Sequence, residues 1–243
     1  MADFDGDGRK DLITGCYEGG SYWLRRKADG GFARPEPVLG KDGERLRVGG
    51  FWDDTARKWT NMEKGHGISA IPVDWDDDGD LDLVLGTTGG EVFVSRNEGD
   101  AKKAAFATEL LQVAAGGTPI RVPSGHCMPV AADWDGDGRF DLVTGSSEGS
   151  VHWFRNTGKA GAPAFAAGEV LVPKSSGNWD APGQRTQVAV GDYDGDGHVD
   201  LLVGDFLSRQ KPKTDAKAQS GGGSEFRGYV WLFRRAPPKS ASR

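Results

Sequence analysis

Four short acidic segments of this chain carry the residue types and spacing of a hard-cation loop. Asp3-Phe4-Asp5-Gly6-Asp7-Gly8-Arg9-Lys10-Asp11 recurs from Asp74 to Asp82, from Asp133 to Asp141 and from Asp192 to Asp200. Every copy has carboxylates at positions 1, 3, 5 and 9 and glycine at position 6. Alternate carboxylates at the start of such a loop turn their oxygens inward, and the glycine permits the sharp turn that returns position 9 to the same centre. Position 7 then offers its backbone carbonyl, so its side chain is free to vary as Arg9, Asp80, Arg139 and His198. Oxygen-only, flexible coordination suits Ca2+ better than Zn2+ or Mg2+.

The expected metal residues are Asp3, Asp5, Asp7, Arg9 and Asp11 in the first loop and Asp74, Asp76, Asp78, Asp80 and Asp82 in the second. The third supplies Asp133, Asp135, Asp137, Arg139 and Asp141, and the fourth Asp192, Asp194, Asp196, His198 and Asp200. One Ca2+ per loop gives about four ions. A helix-loop-helix calcium site would need Glu at position 12, where this chain has Thr14, Leu85, Thr144 and Val203, so that site is excluded. Asp and Gly also favour tight turns without any metal. Four copies that all keep four carboxylates argue against that reading, because like charges in one loop repel unless a cation compensates. The metal's expected role is structural, rigidifying a hairpin and coupling to folding.

The elements that must position these loops repeat with them. Loop starts are 71, 59 and 59 residues apart. After each loop comes a strand-length apolar run ending in glycine: Leu12 to Gly15, Leu83 to Gly86, Leu142 to Gly145 and Leu201 to Gly204. A second aromatic-rich run follows, from Gly20 to Arg26, Gly90 to Arg96, Gly149 to Arg155 and Gly228 to Arg234. Three units add Phe32 with Val38 and Leu39, Phe106 with Leu110 and Leu111, and Phe165 with Val170 and Leu171. Apolar stretches Ile68 to Val73, Met128 to Ala132 and Val188 to Val190 precede the last three loops. Each unit is thus a meander of about four antiparallel strands, which cannot bury both faces alone and packs radially on its neighbours. The expected fold is all-β, a single β-propeller domain over residues 1–243 with units near 1–45, 66–111, 126–172 and 186–235. A linear solenoid would use shorter repeats. The first unit lacks a strand before Asp3 and the last lacks the Phe-containing strand, so a four-bladed ring and a fragment of a larger propeller both remain open. Trp23, Phe93, Trp153 and Trp231 are expected in the core, and Phe4, Trp75, Trp134 and Tyr193 as wedges between blades. Insertions fall at 46–65, rich in aromatics and expected to be ordered or to bind, and at 208–224, polar and expected to be a solvated loop.

The D-x-D-x-D-G-x-x-D-[LV] loop followed by a strand ending in glycine resembles the FG-GAP/VCBS repeat family, and the resemblance spans essentially the whole chain. That family is known from the integrin α-subunit head, fungal sugar-binding propellers and many secreted bacterial proteins. The resemblance implies a propeller with Ca2+ in the hairpin between the first two strands of each blade. It transmits no activity, since a propeller is a scaffold with many uses.

Charge reads differently once the loops are separated out. The net charge is −6, which argues against a nucleic-acid partner, and without the sixteen recurrent Asp it would be +10. No run of 18 apolar residues predicts a membrane span, and no signal peptide is recognised. Cys16 and Cys127 either pair or stay as free thiols. His66 and His126 stand eight and seven residues before their loops, at the strand entries that ring one mouth of a propeller channel, and Arg185 holds the comparable place. Glu148 and Asp205 are expected to return to that mouth. Trp52, Trp59 and Trp179 lie beside carboxylates in the connections leading there, as sugar-stacking residues do. The expected ligand-site residues are therefore Trp52, Trp59, His66, His126, Trp179 and Arg185, although rim turns and loop packing would use the same residues. No nucleophile elbow, zinc-protease helix or phosphate loop is present. The expected function is a non-enzymatic calcium-binding recognition or scaffold module for carbohydrate or protein, placed extracellularly, in the periplasm or at the cell surface. A lyase-like polysaccharide enzyme and a purely structural cohesion module are the alternatives.

Overall fold

In a computed structural model, which describes residues 1–62, 65–174, 176, 181–210 and 224–235, the chain is built of strands and turns, with no α-helix among those residues. The first sheet orders β1 (Leu12–Gly15), β2 (Ser21–Leu24) and β3 (Glu36–Pro37), with an Ala2–Asp11 bridge where an inner strand would run. A separate hairpin, β4 (Phe51–Asp53) and β5 (Lys58–Thr60), fills the first insertion. The second sheet is β6 (Gly67–Val73), β7 (Asp82–Thr87), β8 (Val92–Ser95) and β9 (Leu111–Gln112), followed by the small hairpin β10 (Ala114–Ala115) and β11 (Thr118–Pro119). The third is β12 (Pro129–Ala132), β13 (Asp141–Gly145), β14 (Val151–Phe154) and β15 (Glu169–Val172). The fourth pairs β16 (Gln184–Gly191) with the long β17 (Asp200–Gln210), which in turn pairs β18 (Ser224–Arg227) and β19 (Val230–Phe233). These four antiparallel sheets are arranged as a four-bladed β-propeller.

Strand alternation explains the packing. Period-two side chains put Leu83 and Leu85 on one face of β7 and Val84 on the other. Leu83 and Leu85 join a buried cluster with Ile13, Phe93 and Phe106 between blades one and two. Val84 joins Leu142, Phe154 and Phe165 between blades two and three, and Val143 joins Leu201 and Val203 between three and four. Glycine stands at one position of β1, β7 and β13 because the next blade's inner strand crosses it there. A Cβ on Gly15, Gly86 or Gly145 would collide with the backbone of Ile68, Cys127 or Thr186, whereas one on Gly204 would approach only its own blade, at Gln187.

Trp23, Phe93, Trp153 and Trp231 belong to these cores or pack on them. Phe4, Trp75 and Trp134 are buried at blade boundaries: Phe4 stacks on Phe106 at 5.6 Å, Trp75 lies 5.7 Å from Phe165, and Arg235 covers Trp134. Tyr193 departs from the expected wedge and is 45% exposed; among the described residues no buried cluster covers it. The pairing also corrects the repeat frame of the first unit. Thr14 faces Tyr22 as Leu85 faces Phe93, so Gly19 and Arg25, not Gly20 and Arg26, correspond to Gly90 and Arg96. The 208–224 insertion begins as ladder, with Ser208 opposite Phe226, rather than as a loop throughout, and 211–223 lies outside the described residues.

Candidate functional site

Each acidic loop folds through the same set of bonds, which its sequence dictates. The position-1 carboxylate accepts the amides of positions 5 and 6: Asp3 from Asp7 and Gly8 at 3.0 and 2.9 Å, Asp74 from Asp78 and Gly79 at 3.1 Å each. Asp133 and Asp192 do the same. The position-5 carboxylate accepts the amide of position 7 at 2.9 to 3.0 Å. Position 4 turns left-handed, which glycine allows at Gly6, Gly136 and Gly195 and which Asp77 adopts at φ 59° in the second loop.

Positions 1, 3 and 5 converge. One carboxylate oxygen from each of Asp3, Asp5 and Asp7 lies within 4.8 Å of the others, and Asp74, Asp76 and Asp78, Asp133, Asp135 and Asp137, and Asp192, Asp194 and Asp196 form the matching triplets. All four could hold a metal ion. Asp5 Oδ1 and Asp135 Oδ1 are buried and accept no hydrogen bond, which is the state of an oxygen shaped for a cation. Burial, then the charges of Asp11 and Asp7, raises the Asp5 carboxyl above its ordinary range.

Position 9 stands apart from the triplets as a buried clasp. Asp141 accepts the Trp134 amide at 3.2 Å, the Asn156 amide at 2.7 Å and the Trp153 indole N–H at 2.9 Å. Asp11, Asp82 and Asp200 accept the equivalent amides of Phe4 and Arg26, Trp75 and Asn97, and Tyr193 and Arg235. Burial pushes Asp82 up to about 6 and raises Asp141, while the Arg235 amide draws Asp200 down. The position-7 side chains diverge. Arg9 and Arg139 pair back onto Asp7 and Asp137, Asp80 is buried, and His198 is partly buried.

Sequence reasoning missed a guanidinium at the loops. The arginine just after β8, β14 and β19 reaches the position-3 carboxylate: Arg96 to Asp76 at 3.1 Å, Arg155 to Asp135 at 2.6 Å and Arg234 to Asp194 at 3.7 Å. Its recurrence at the end of every second run was visible; its direction toward the loop was not.

The mouth residues fall into two groups joined by Tyr17. Trp52 and Trp59 are cross-strand partners on β4 and β5, 6.0 Å apart, and Trp59 and Tyr17 close on the His66 ring at 4.6 and 4.8 Å. His66 is buried, its Nδ1 lies 3.3 Å from Thr88 Oγ1, and its Nε2 has no hydrogen-bond partner. His126 and Arg185 line a cavity of about 230 Å³ together with Tyr17, Ile68, Met128 and Gln187. Both have left-handed backbones, at φ 56° and 52°, a strain on the order of 1 kcal/mol each. They are equivalent to each other, and His66 sits one position earlier: Gly125 gives its carbonyl to Ser147 as His66 gives its own to Thr88. Trp179 lies outside the described residues. Glu148 does not line this cavity, whereas Asp205 lines an adjoining one of about 510 Å³ that shares Arg185 and Gln187 with it. Glu148 is 3.8 Å from Lys174, and Asp205 accepts the amides of Gly183 and Tyr229 and the indole of Trp231. Tyr17 was missed because a lone tyrosine in a turn carries no pattern.

Cys16 and Cys127 are both free thiols, and burial pushes Cys127 up to about 12, too high for a nucleophile. No helix long and apolar enough to cross a membrane occurs among the described residues. No curated protein matched the chain. Residues 74–144 and 133–203 each match the model of the FG-GAP-like repeat. Together the two matches cover more than half of the chain and span the second to fourth acidic loops with the strands between them, so the chain belongs to the FG-GAP-like repeat family.

Proposed function

We propose that this propeller is a calcium-loaded, non-catalytic recognition module that acts outside the cytoplasm and takes a carbohydrate or protein ligand at the channel mouth. The observation that carries the metal reading is the pair of buried, unpartnered oxygens, Asp5 Oδ1 and Asp135 Oδ1, on carboxylates that converge with two more. Oxygen donors held on a flexible loop favour Ca2+ over the smaller Mg2+, which demands near-octahedral geometry. Extracellular calcium is abundant enough to fill loops of moderate affinity, which supports placement outside the cytosol. The mouth reading rests on Tyr17, 67% exposed, beside the strained His126 and Arg185, where an aromatic face and polar groups converge as they do in sugar sites.

Thermal unfolding in calcium and in EDTA tests the metal. At a hundredfold excess over Kd each filled loop contributes about 2.7 kcal/mol, so calcium should raise Tm and Mg2+ should raise it less. Identical melting in both buffers would refute calcium binding. A glycan array with wild type and Tyr17→Ala, run beside an assay for unsaturated product from acidic polysaccharides, tests the rest. Binding lost in Tyr17→Ala without product supports a recognition module, and product formation overturns the non-catalytic reading.

A further inference from the structure

The four loops share a backbone but differ in charge. Loop two carries six carboxylates, Asp74, Asp76, Asp77, Asp78, Asp80 and Asp82, against one paired guanidinium, Arg96 on Asp76 at 3.1 Å. Loop three carries four carboxylates against two guanidiniums. Arg155 lies 2.6 Å from Asp135 and 3.5 Å from Asp137, and Arg139 also pairs with Asp137. In loop one Arg9 is paired with Asp7 in the same way. Two of the three converging carboxylates in loop three, and one each in loops one and two, are thus already paired by the chain itself, and loop two is set apart by its two additional carboxylates, Asp77 and Asp80.

Asp80 is the second distinguishing observation. It is 7% exposed and its Oδ1 accepts no hydrogen bond; burial and then the charge of Asp78, with smaller contributions from Asp76 and Asp74, raise its carboxyl, and the Asn97 side chain acts the other way. The Asn97 side chain offsets this only in part, so the charge of Asp80 adds to the demand for a cation at this loop. Loops one and three place arginine at that position, and loop four places His198.

We propose that the loops fill in order, with Asp74–Asp82 as the primary cation site because Asp80 adds a negative charge beside the converging carboxylates, while Arg9 and Arg139 hold loops one and three at lower affinity as internal competitors. The inference rests on the calcium reading of the loops and adds a ranking and three residues that set it. Ligand charge tunes calcium affinity over orders of magnitude on a constant loop frame, so loop two should bind at least about tenfold more tightly than loop three.

Position 7 tolerates either sign on this backbone, which makes reciprocal variants suitable tests. The full chain, stripped of metal, is titrated with Ca2+ in a calorimeter, with circular dichroism as a check on folding. Wild type should give one tight phase before weaker ones. Asp80→Arg should abolish the tight phase, and Arg139→Asp should add a second one. Indistinguishable phases in wild type, or a tight phase that survives Asp80→Arg, would overturn the ranking while leaving calcium binding intact. Absence of any calcium heat would overturn the calcium reading and the ranking together.

Discussion

At the scale of single residues, three of the four histidines are held neutral by the fold. Burial lowers His66, His126 and His152 below the ordinary imidazole value, with His126 adding to the effect at His66 and Arg185 at His126. Protonating His66 would place a charge between Tyr17 and Trp59 with no acceptor at Nε2. The unfolded chain binds that proton more readily, so the contribution of a lowered histidine is complete above about pH 6.5 and is lost as pH falls through the folded value. The raised carboxyls of Asp5, Asp80 and Asp82 act in the opposite sense, since their folded forms take up protons more readily than the unfolded chain. The isolating comparison is therefore His66→Phe, which keeps an aromatic ring and removes the titration. Between pH 7.5 and 5.5 wild type should lose more Tm than the variant, and parallel curves would refute a buried neutral His66.

At the scale of the hairpin, the nine-residue loop divides into a clasp and a cage. Asp141 satisfies two amides and an indole, so Asp141→Ala leaves three buried donors without their acceptor and should cost about 3 kcal/mol or more even in EDTA. Asp135 makes no hydrogen bond to the backbone and faces its neighbours' charge and Arg155. Asp135→Asn should leave stability in EDTA within about 1 kcal/mol and remove part of the calcium-induced rise. Urea unfolding with and without calcium separates the two, and equal losses in EDTA would refute the division. The loops were legible because carboxylate spacing and glycine position are constraints written in residue types. The clasp was not, because Asp at position 9 looks the same whether its oxygens face a metal or an amide. The frame of the first unit was misread for a similar reason. Gly19-Gly20 and Arg25-Arg26 are doublets, and only conformation tells them apart: Gly19 has φ 92°, as Gly90 has 91° and Gly149 has 101°.

At the scale of the whole propeller, the blades are not equally enclosed. Buried clusters join blades one to two, two to three and three to four, and none joins four to one among the described residues. Val92, Val151 and Val230 occupy one repeat position, each paired with the recurrent glycine of the neighbouring strand, Gly86, Gly145 and Gly204. The first two are 0% exposed and Val230 is 74% exposed, with Leu232 and Phe226 open beside it. Nothing in the residue type distinguishes Val230 from Val151. The repeat made the blades legible, but the seam depends on what lies opposite a blade, which a repeat cannot encode. The same substitution should therefore have unlike effects. Val151→Ala removes two methyl-sized groups from a closed interface and should cost about 2 kcal/mol. Val230→Ala removes them from water and should stay within about 0.5 kcal/mol. Urea unfolding of both variants reads the difference. If Val230→Ala is as destabilising as Val151→Ala, the outer face of the fourth blade is covered in solution and the seam is closed. If it is neutral, the propeller is held by three packed interfaces and the fourth blade is the one whose strands exchange first in deuterium labelling.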